Sequence, residues 1–408
     1  MINKGGNMTT IKYQNRSLIL NILKRTGSVS RADIAQMLEL TPAAITILVN
    51  EMVDENIIVE AGHMEEDKRS GRKKILIDIN SNFKHVIGVN IETDYTNIGI
   101  SNLKGETVDY KRFPTDKSVE PEQLLQRITS ECLNMLWKAN IQKENVLGLG
   151  VGIVGKVDQQ NGISEHAYAL WDKKVDIGRI LQDSLDVRIT IENNVRALAL
   201  GELEYYNPDE TSNILFVKYG PGIGSAITIN NEIYYGNHKE AGEIGHTIVD
   251  FEGPLCKCGR YGCLETIASE KAVIEKIKLE FTEQKTPKLY ELCSGSPDNI
   301  TISNIYKAAE AGDPLVEDCI RTTAKYMALA IANAVTLYDP NKVILYGKAF
   351  ENGFFMDAFK GALSRLIAKT GFDEYVLLSK LNRKSNFIAG TALALREFFY
   401  NTGGLIES

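Results

Sequence analysis

Residues 246–265 read HTIVDFEGPLCKCGRYGCLE, and this stretch holds half of the cysteines in the chain: Cys256, Cys258 and Cys263. His246 opens the stretch, ten residues before the first cysteine. Three thiols and one imidazole complete a tetrahedral Cys3His shell, which leaves no coordination position open for a catalytic water. Gly259 and Gly262 lie inside the loop and allow it to turn tightly around an ion. The spacing therefore predicts a structural zinc ion bound by His246 and the three cysteines.

Two other interpretations of these cysteines stay open, namely three buried thiols or a disulfide bond. Their close spacing and the flanking glycines favour the metal site over both. Cysteines arranged for zinc, without the regular pairs of a disulfide framework, point to the cytoplasm. The other three cysteines show no recognisable spacing.

The length and composition are those of a globular protein with several domains. The 408 residues are 44% hydrophobic and 24% charged, and because so long a chain exceeds one ordinary core, we expect two or three domains. No apolar run reaches the roughly 18 residues that span a membrane. The N-terminal MINKGGNMTT also lacks the apolar core of a signal peptide. We therefore expect a cytoplasmic protein without a membrane partner.

The charge is distributed unevenly along the chain. The net charge of −7 argues against a uniformly basic nucleic-acid-binding protein. Residues 1–80, however, contain 11 Lys and Arg against 10 Asp and Glu, whereas the remainder contains 35 against 43. Any contact with DNA must therefore come from the N-terminal segment.

Residues 11–79 show the pattern of three helices followed by a β-hairpin. Apolar residues recur at helical spacing in the first helix, Ser30 is suited to cap the second, and Thr41-Pro42 is a strong start for the third. Two short helices joined by a tight turn form a helix-turn-helix, whose second helix enters the major groove by its first turn. We therefore predict DNA contacts from the small residues of that turn: Thr41, Ala43, Ala44 and Thr46.

A basic hairpin follows the third helix. Residues 57–60 and 75–77 are predicted strands, and the turn between them contains five basic residues around Ser70-Gly71. Cationic side chains on a hairpin tip suit phosphates or the minor groove, so this wing is predicted to contact DNA through three of them: Arg69, Arg72 and Lys73. The alternative is a small helical protein-interaction module with an ordinary basic loop.

After residue 80 the pattern changes to two similar halves. Strand-rich segments begin near residues 85 and 213, and helices follow each of them. This order indicates a duplicated lobe, with a ligand bound in the cleft between the two copies. The polar segment at roughly residues 280–300 is predicted to be a surface excursion.

The stretch quoted at the start also carries a family resemblance. Residues 241–250 (AGEIGHTIVD) and 253–266 (GPLCKCGRYGCLET) resemble the signature of the ROK family of repressors, open reading frames and kinases, nearest to its xylose-repressor branch. The resemblance extends from about residue 11 to residue 399. It implies an α/β fold, in which a winged helix-turn-helix precedes a two-lobed ROK domain of the actin/hexokinase-like (ribonuclease H-like) type. The expected domains are residues 1–80, residues 81–200 completed by 386–408, and residues 201–385 with the zinc site.

The resemblance also implies which residues bind a ligand. In the family, the histidine and the three cysteines bind zinc. The family's sugar contacts fall here on five residues: Asn193, Asn194, Glu243, His246 and Glu265. Family members that carry the N-terminal module are repressors, so the expected partners are double-stranded operator DNA, a sugar effector, and a second copy of the chain in a homodimer or a dimer of dimers.

Several positions depart from the pattern of the family's sugar kinases, which need a phosphate loop, a base and a nucleotide pocket. The phosphate loop carries Asn90 in place of aspartate and Glu92 in place of glycine. The base is replaced by Asn194, whose amide cannot take up a proton. Tyr346 replaces a glycine on the nucleotide side. Only residues 220–224 (GPGIG) stay glycine-rich, and we interpret them as a retained turn.

These departures predict a sugar-responsive transcriptional repressor of carbohydrate-utilisation genes, with xylose as one candidate, and not an enzyme. The sugar would bind in the cleft without being phosphorylated. Sugar binding would release the repressor from its operator, because the two binding sites are thermodynamically linked. Two rival functions stay open: a sugar kinase with an appended DNA-binding domain, and a repressor that senses a protein partner.

Overall fold

The computed structural model describes residues 8–63, 74–206, 213–367 and 372–405. These residues form two compact units. The first unit combines the described parts of residues 1–208 and 382–408, and the second is drawn from residues 209–381. Among the described residues, no helix is both long enough and apolar enough to cross a membrane.

The first unit begins with a winged helix-turn-helix, called the winged helix below. Its elements are α1 (Met8–Thr26), β1 (Val29–Ser30), α2 (Arg31–Met37), α3 (Pro42–Asp54), β2 (Ile58–His63) and β3 (Ile75–Ile79). The predicted caps are present, because Ser30 accepts a hydrogen bond from the Asp33 amide and Thr41 accepts one from the Ala44 amide. The three predicted helices and both hairpin strands are therefore confirmed.

The sheet of the winged helix has three strands in the order β1-β3-β2. The short strand β1, which the sequence did not predict, pairs antiparallel with β3 and places Val29 opposite Ile77. The predicted wing contacts lie between β2 and β3, outside the described residues: Arg69, Arg72 and Lys73.

A five-stranded sheet forms the centre of the first unit, in the order β11-β7-β4-β5-β6. The strands β4, β5 and β6 form an antiparallel meander, and β7 and β11 run parallel to β4. A smaller sheet has the order β10-β9-β8. The bounds are β4 (His85–Ile91), β5 (Tyr95–Asn102), β6 (Thr107–Pro114), α4 (Pro121–Lys138), β7 (Val146–Ile153), β8 (Lys156–Asp158), β9 (Ile163–His166), β10 (Val175–Asp176), α5 (Ile177–Leu185), β11 (Ile189–Asn193) and α6 (Asn194–Tyr206).

The second unit is built on another five-stranded sheet, in the order β14-β13-β12-β15-β16. Strand β12 pairs antiparallel with β13 and parallel with β15. The bounds are β12 (Ile214–Tyr219), β13 (Ile223–Ile229), β14 (Glu232–Ile233), α7 (Leu264–Ala268), α8 (Glu270–Glu280), α9 (Pro287–Leu292), α10 (Ile302–Glu310), α11 (Pro314–Tyr338), β15 (Lys342–Tyr346), α12 (Lys348–Glu351), α13 (Gly353–Leu363), α14 (Phe372–Tyr375) and β16 (Val376–Leu378).

Residues 280–300, predicted to be a surface excursion, are mostly exposed, but a few of their residues anchor the segment to the second unit. The segment contains α9, and its Leu289 and Cys293 are buried in the core of the second unit. The Leu289 amide also donates a hydrogen bond of 3.2 Å to the carboxylate of Asp313, which caps α11. A few well-spaced apolar residues are enough to anchor a segment that is polar on average.

Four glycines stand at the centre of one face of the first-unit sheet. This glycine face consists of Gly88, Gly99, Gly148 and Gly150, and the C-terminal helix α15 (Ile388–Leu395) packs on it. A methyl group on Gly150 would lie 2.1 Å from the backbone oxygen of Gly390 in α15. So close an approach of helix and sheet backbones requires glycine on both sides.

The C-terminal segment continues from α15 into the core of the winged helix. After α15, residues 396–400 form one π-helical turn whose aromatic side chains pack with Ile19 and Leu23 of α1. The buried Arg16 donates one hydrogen bond of 2.9 Å to the Gly403 oxygen and another of 3.0 Å to Glu55. The winged helix therefore shares a core with the end of the chain.

We expect the same substitution to have opposite effects at two helical glycines. Gly390→Ala would place its methyl group 2.3 Å from the Gly150 oxygen and should destabilise the protein by about 2 kcal/mol or more, as overpacking does. Gly361→Ala in α13 meets no described atom within 4 Å, so higher helix propensity should stabilise the protein by up to about 1 kcal/mol. Thermal unfolding measures both, and an unchanged midpoint for Gly390→Ala would contradict the close approach.

Candidate functional site

His246 and the three predicted cysteines converge at one point of the second unit. Their candidate ligand atoms all lie within 4.8 Å of one another. The Sγ atoms of Cys258 and Cys263 are 3.6 Å apart, and Nδ1 of His246 is 3.6 Å from Sγ of Cys256. A tetrahedral ion with bonds of about 2.0–2.3 Å holds its ligand atoms roughly 3.3–3.8 Å apart. The four residues can therefore hold a metal ion.

Short-range backbone contacts bring these ligands together. The Cys256 amide donates to the Arg260 oxygen at 2.8 Å, and the Gly259 amide donates to the Cys256 oxygen at 2.9 Å. Gly262 has a φ of 70°, and a methyl group there would overlap the Asp250 oxygen, so only glycine fits. The loop geometry follows from residues less than 20 positions apart, which is why the spacing alone predicted it.

The thiols are free, so the disulfide alternative is wrong. The sulfur–sulfur separation of 3.6 Å greatly exceeds the roughly 2.05 Å of a disulfide bond. Burial opposes ionisation of Cys258, but hydrogen bonds from Arg260 and from the neighbouring thiols lower the pKa of this thiol to about 6. A thiolate, the form that binds metals, is thus available near neutral pH.

Glu265 ties the metal-site loop to the glycine-rich turn of the second unit. One carboxylate oxygen lies 2.9 Å from Nζ of Lys257, and the other accepts a hydrogen bond of 3.1 Å from the Ile223 amide. A methyl group on Gly222 would lie 2.8 Å from this second oxygen. The turn at residues 220–224 therefore holds glycine partly because Glu265 occupies the space beside it.

Glu243 is also a predicted sugar contact of the second unit. It is exposed and directly precedes the short 3₁₀ turn Ile244–His246. This turn packs against α7, which carries Glu265. The Leu264 amide donates to the Thr247 oxygen at 2.9 Å and joins the two segments. Glu243, His246 and Glu265 are thus carried on directly connected parts of one unit.

Asn193 and Asn194 occupy the start of α6 in the first unit. The side-chain oxygen of Asn193 accepts hydrogen bonds from the amides of Val195 at 2.9 Å and Arg196 at 3.3 Å, and its Nδ2 donates to the Gly155 oxygen at 2.8 Å. Asn193 therefore caps the helix, a role that the sequence analysis did not assign to it. Any sugar contact by Asn193 would use the second hydrogen of its amide.

Asn194 is buried, and its orientation is set by Glu92. Its Nδ2 donates a hydrogen bond of 2.9 Å to Oε1 of Glu92, which also accepts one of 3.2 Å from Asn90. The amide nitrogen of Asn194 is thus directed to Glu92, and its oxygen is left to accept from another group. Asn90, Glu92 and Asn194 therefore form one hydrogen-bonded cluster.

Tyr346 belongs to the interior of the second unit. It is buried at the end of β15, and its ring centroid lies 6.0 Å from that of Phe216 on β12. Next to it, Gly347 has a φ of 138°, and a methyl group there would lie 2.1 Å from the Tyr219 oxygen. Both the backbone conformation and the packing at position 347 therefore require glycine.

Helix α3 presents an outer face suited to DNA. Thr41, Ala43 and Thr46 are exposed as predicted, whereas Ala44 is half-buried. Two further residues share this exposed face, Ile47 and Asn50, and neither was predicted from the sequence as a DNA contact. Their spacing of four and seven residues from Ala43 could have revealed them, because such positions share one helix face. Ile47 is 61% exposed, which is unusual for a large apolar side chain.

Comparison with known families identifies both parts of the chain. Residues 86–397 match the ROK family, and residues 14–59 match the winged helix-turn-helix DNA-binding domain. The chain belongs to the ROK family. The predicted fold class, a winged helix-turn-helix followed by a ROK domain, is thereby confirmed.

Individual relatives of this ROK chain include regulators and kinases. It is 30% identical over 368 residues to the xylose repressor of Caldicellulosiruptor bescii, with 90% of each chain covered. A ROK family transcriptional regulator, described as a homologue of the E. coli MLC protein, has a similar fold (TM-score 0.79, 24% identity, 97% and 98% of the chains covered). So does a ROK glucokinase from Streptomyces griseus (TM-score 0.65, 24% identity, 76% and 99% covered). Because the fold serves both classes, function must be argued from the site residues.

We expect Ile47 to contribute to the choice of DNA sequence. An exposed apolar side chain on a recognition helix can contact the thymine methyl group, and a wrong base typically costs about 1–3 kcal/mol. Ile47→Thr should change the preferred base at one position when targets are selected from a randomised DNA library. Ile229→Thr, at an exposed isoleucine of the second unit, is the control and should select the same targets as the unaltered protein. Identical base preferences for Ile47→Thr would exclude this role.

Proposed function

We propose that this chain is a transcriptional repressor that binds operator DNA through its winged helix and releases it when a sugar binds to the ROK domain. The similarity to a xylose repressor over 90% of both chains supports xylose as the first sugar to test. The proposal includes the domain division at residues 1–80, 81–200 with 386–408, and 201–385. It also includes a two-fold dimer, whose recognition helices would be about 34–36 Å apart on the operator.

One observation carries the proposal that the sugar is bound and not phosphorylated. By the family resemblance, Asn194 replaces the kinase base, and its buried amide donates a hydrogen bond of 2.9 Å to the Glu92 carboxylate. An amide cannot accept the proton of the attacking hydroxyl, and proton removal typically contributes about 10²–10⁴-fold to such a rate. Glu92 would in addition repel a phosphate group. We assign the sugar contacts to five residues: Asn193, Asn194, Glu243, His246 and Glu265.

We propose zinc as the metal ion of the second unit. Three thiolates and an imidazole are ligands that zinc prefers, and the full shell suits a structural ion. When bound, the ion would stabilise the loop that joins His246 to Glu265, because the binding energy of a structural metal is part of the folding energy. It would supply no catalytic group.

The zinc proposal predicts about one zinc per chain in purified protein. Cys258→Ser should remove most of the metal and lower the midpoint of thermal unfolding. Cys293→Ser is the matched control, because this buried thiol lies outside the cluster and already faces the Asn299 oxygen, which a hydroxyl could use. Metal analysis of both variants decides the matter. Protein without zinc, or Cys258→Ser with its full metal content, would refute the proposal.

We expect sugar binding without phosphoryl transfer. Calorimetry with xylose, glucose and N-acetylglucosamine should reveal binding of at least one sugar, and ATP turnover should stay below about 1 s⁻¹, the low end of ordinary enzymes. Asn194→Asp should remain inactive, because the new carboxylate would lie against Glu92 and the like charge would raise its pKa. ATP turnover at ordinary enzyme rates would instead identify a kinase with a DNA-binding domain.

The same proposal separates sugar sensing from DNA binding. Glu243→Ala and Glu265→Ala should bind the operator normally and fail to release it when sugar is added. Glu283→Ala, at an exposed acid of the same unit, is the control and should respond like the unaltered protein. If both glutamate variants respond normally, these residues do not bind the sugar. If no sugar causes release, the signal is of another kind, such as a protein partner.

A further inference from the structure

Helix α6 joins the proposed sugar-binding residues to the winged helix. Its first residue is Asn194, and Glu204 in its last turn contacts Lys24 of α1 through an ion pair. The helix has 13 residues, which corresponds to a length of about 20 Å. One end of this helix thus carries a proposed sugar contact, and the other end touches the winged helix.

The contact between α6 and α1 is a small, partly buried charge cluster. The Glu204 carboxylate faces Nζ of Lys24 on one side and Nη1 of Arg396 at 3.3 Å on the other. Nζ of Lys24 also lies 4.4 Å from the ring centroid of Tyr400. Burial, together with the nearby Arg396 and Arg25, lowers the pKa of Lys24 to about 7. Loss of the Glu204 carboxylate would remove the anion that contacts Lys24.

Helix α6 has little freedom to move independently. Every residue from Asn194 to Leu203 is buried. Gly201 packs on Ala389 of α15, at a distance where an added methyl group would meet the Ala389 Cα at 3.4 Å. Because close-packed interiors transmit displacements and do not absorb them, a shift at one end of α6 reaches the other.

Helix α1 also contacts the end of the recognition helix, α3. Arg16 of α1 donates a hydrogen bond of 3.0 Å to Glu55, the residue that directly follows α3. Lys24 and Arg16 are eight residues apart on the same helix, so α1 holds α6 by one residue and α3 by the other. The connection from Asn194 to α3 is thus made of two helices and two charged contacts.

We propose that α6 transmits the sugar signal, with the Glu204–Lys24 pair as the coupling contact between the ROK domain and the winged helix. Sugar binding at the start of α6 changes the position of Glu204, α1 follows, and the recognition helix leaves its DNA-binding orientation. This inference rests on the proposed function and specifies how its two sites communicate. Glu204 and Lys24 act as positioning residues, since neither belongs to the proposed sugar or DNA contacts.

The test compares coupling with binding in the full-length protein. Operator affinity is measured by fluorescence anisotropy with and without xylose, and xylose affinity by calorimetry without DNA. In Glu204→Gln, each separate affinity should stay within about threefold of the unaltered protein. The loss of operator affinity caused by xylose should fall from the roughly 5–150-fold typical of coupled sites to about twofold. Lys24→Met removes the same contact from the other side and should give the same result.

Glu131→Gln is the matched control. It breaks an ion pair of 2.6 Å with Lys111 in the same unit, away from α6 and α1, and should leave coupling intact. Normal coupling in Glu204→Gln or in Lys24→Met would overturn the inference while leaving the proposed function in place. If Glu204→Gln does not fold, Lys24→Met alone decides. An unaltered protein that no sugar releases from its operator would overturn the proposed function, and this inference with it.

Discussion

The first unit depends on the contact between α15 and the glycine face of its sheet. The helix can lie at backbone distance only because the sheet offers Gly150 and the helix offers Gly390, where a single methyl group would lie 2.3 Å or less from an oxygen. This contact brings residues near the end of the chain against strands that lie more than 200 positions earlier. It also directs the aromatic residues after α15 into the core of the winged helix. The DNA-binding module is therefore packed against the rest of the first unit.

Hydrogen bonds fix the candidate site residues in both units. In the first unit, Glu92 accepts hydrogen bonds from Asn90 and Asn194. In the second unit, Glu265 is held by Lys257 and by the backbone of the glycine-rich turn. These contacts set the orientation of the Asn194 amide and of the Glu265 carboxylate.

Short-range features of this chain could be predicted from sequence, and long-range ones could not. The caps at Ser30 and Thr41 and the metal loop depend on residues that lie close together in the chain, so spacing and residue type were sufficient. The core role of Leu289 was missed because its segment is polar on average. The contact of Lys24 with Glu204 spans 180 positions, and no local pattern marks either residue as the partner of the other. Likewise, Asn193 was predicted only as a sugar contact, because its role as a helix cap becomes visible when Gly155 and Val195 are seen around it.

The proposed sugar contact of Asn193, added to its role as a helix cap, gives a physical reason for placing a sensor at this point. A residue that caps α6 controls how the first turn of the helix is held, since its oxygen satisfies two backbone amides that would otherwise have no partner within the helix. A sugar hydroxyl group that binds to the side-chain amide of Asn193, or to Asn194 beside it, would act directly on the end of a buried helix. A ligand on a side chain in the middle of a strand would meet a backbone fixed by hydrogen bonds on both sides. A helix terminus can instead tilt or shift as a whole, and the far end of α6 is where the winged helix is held.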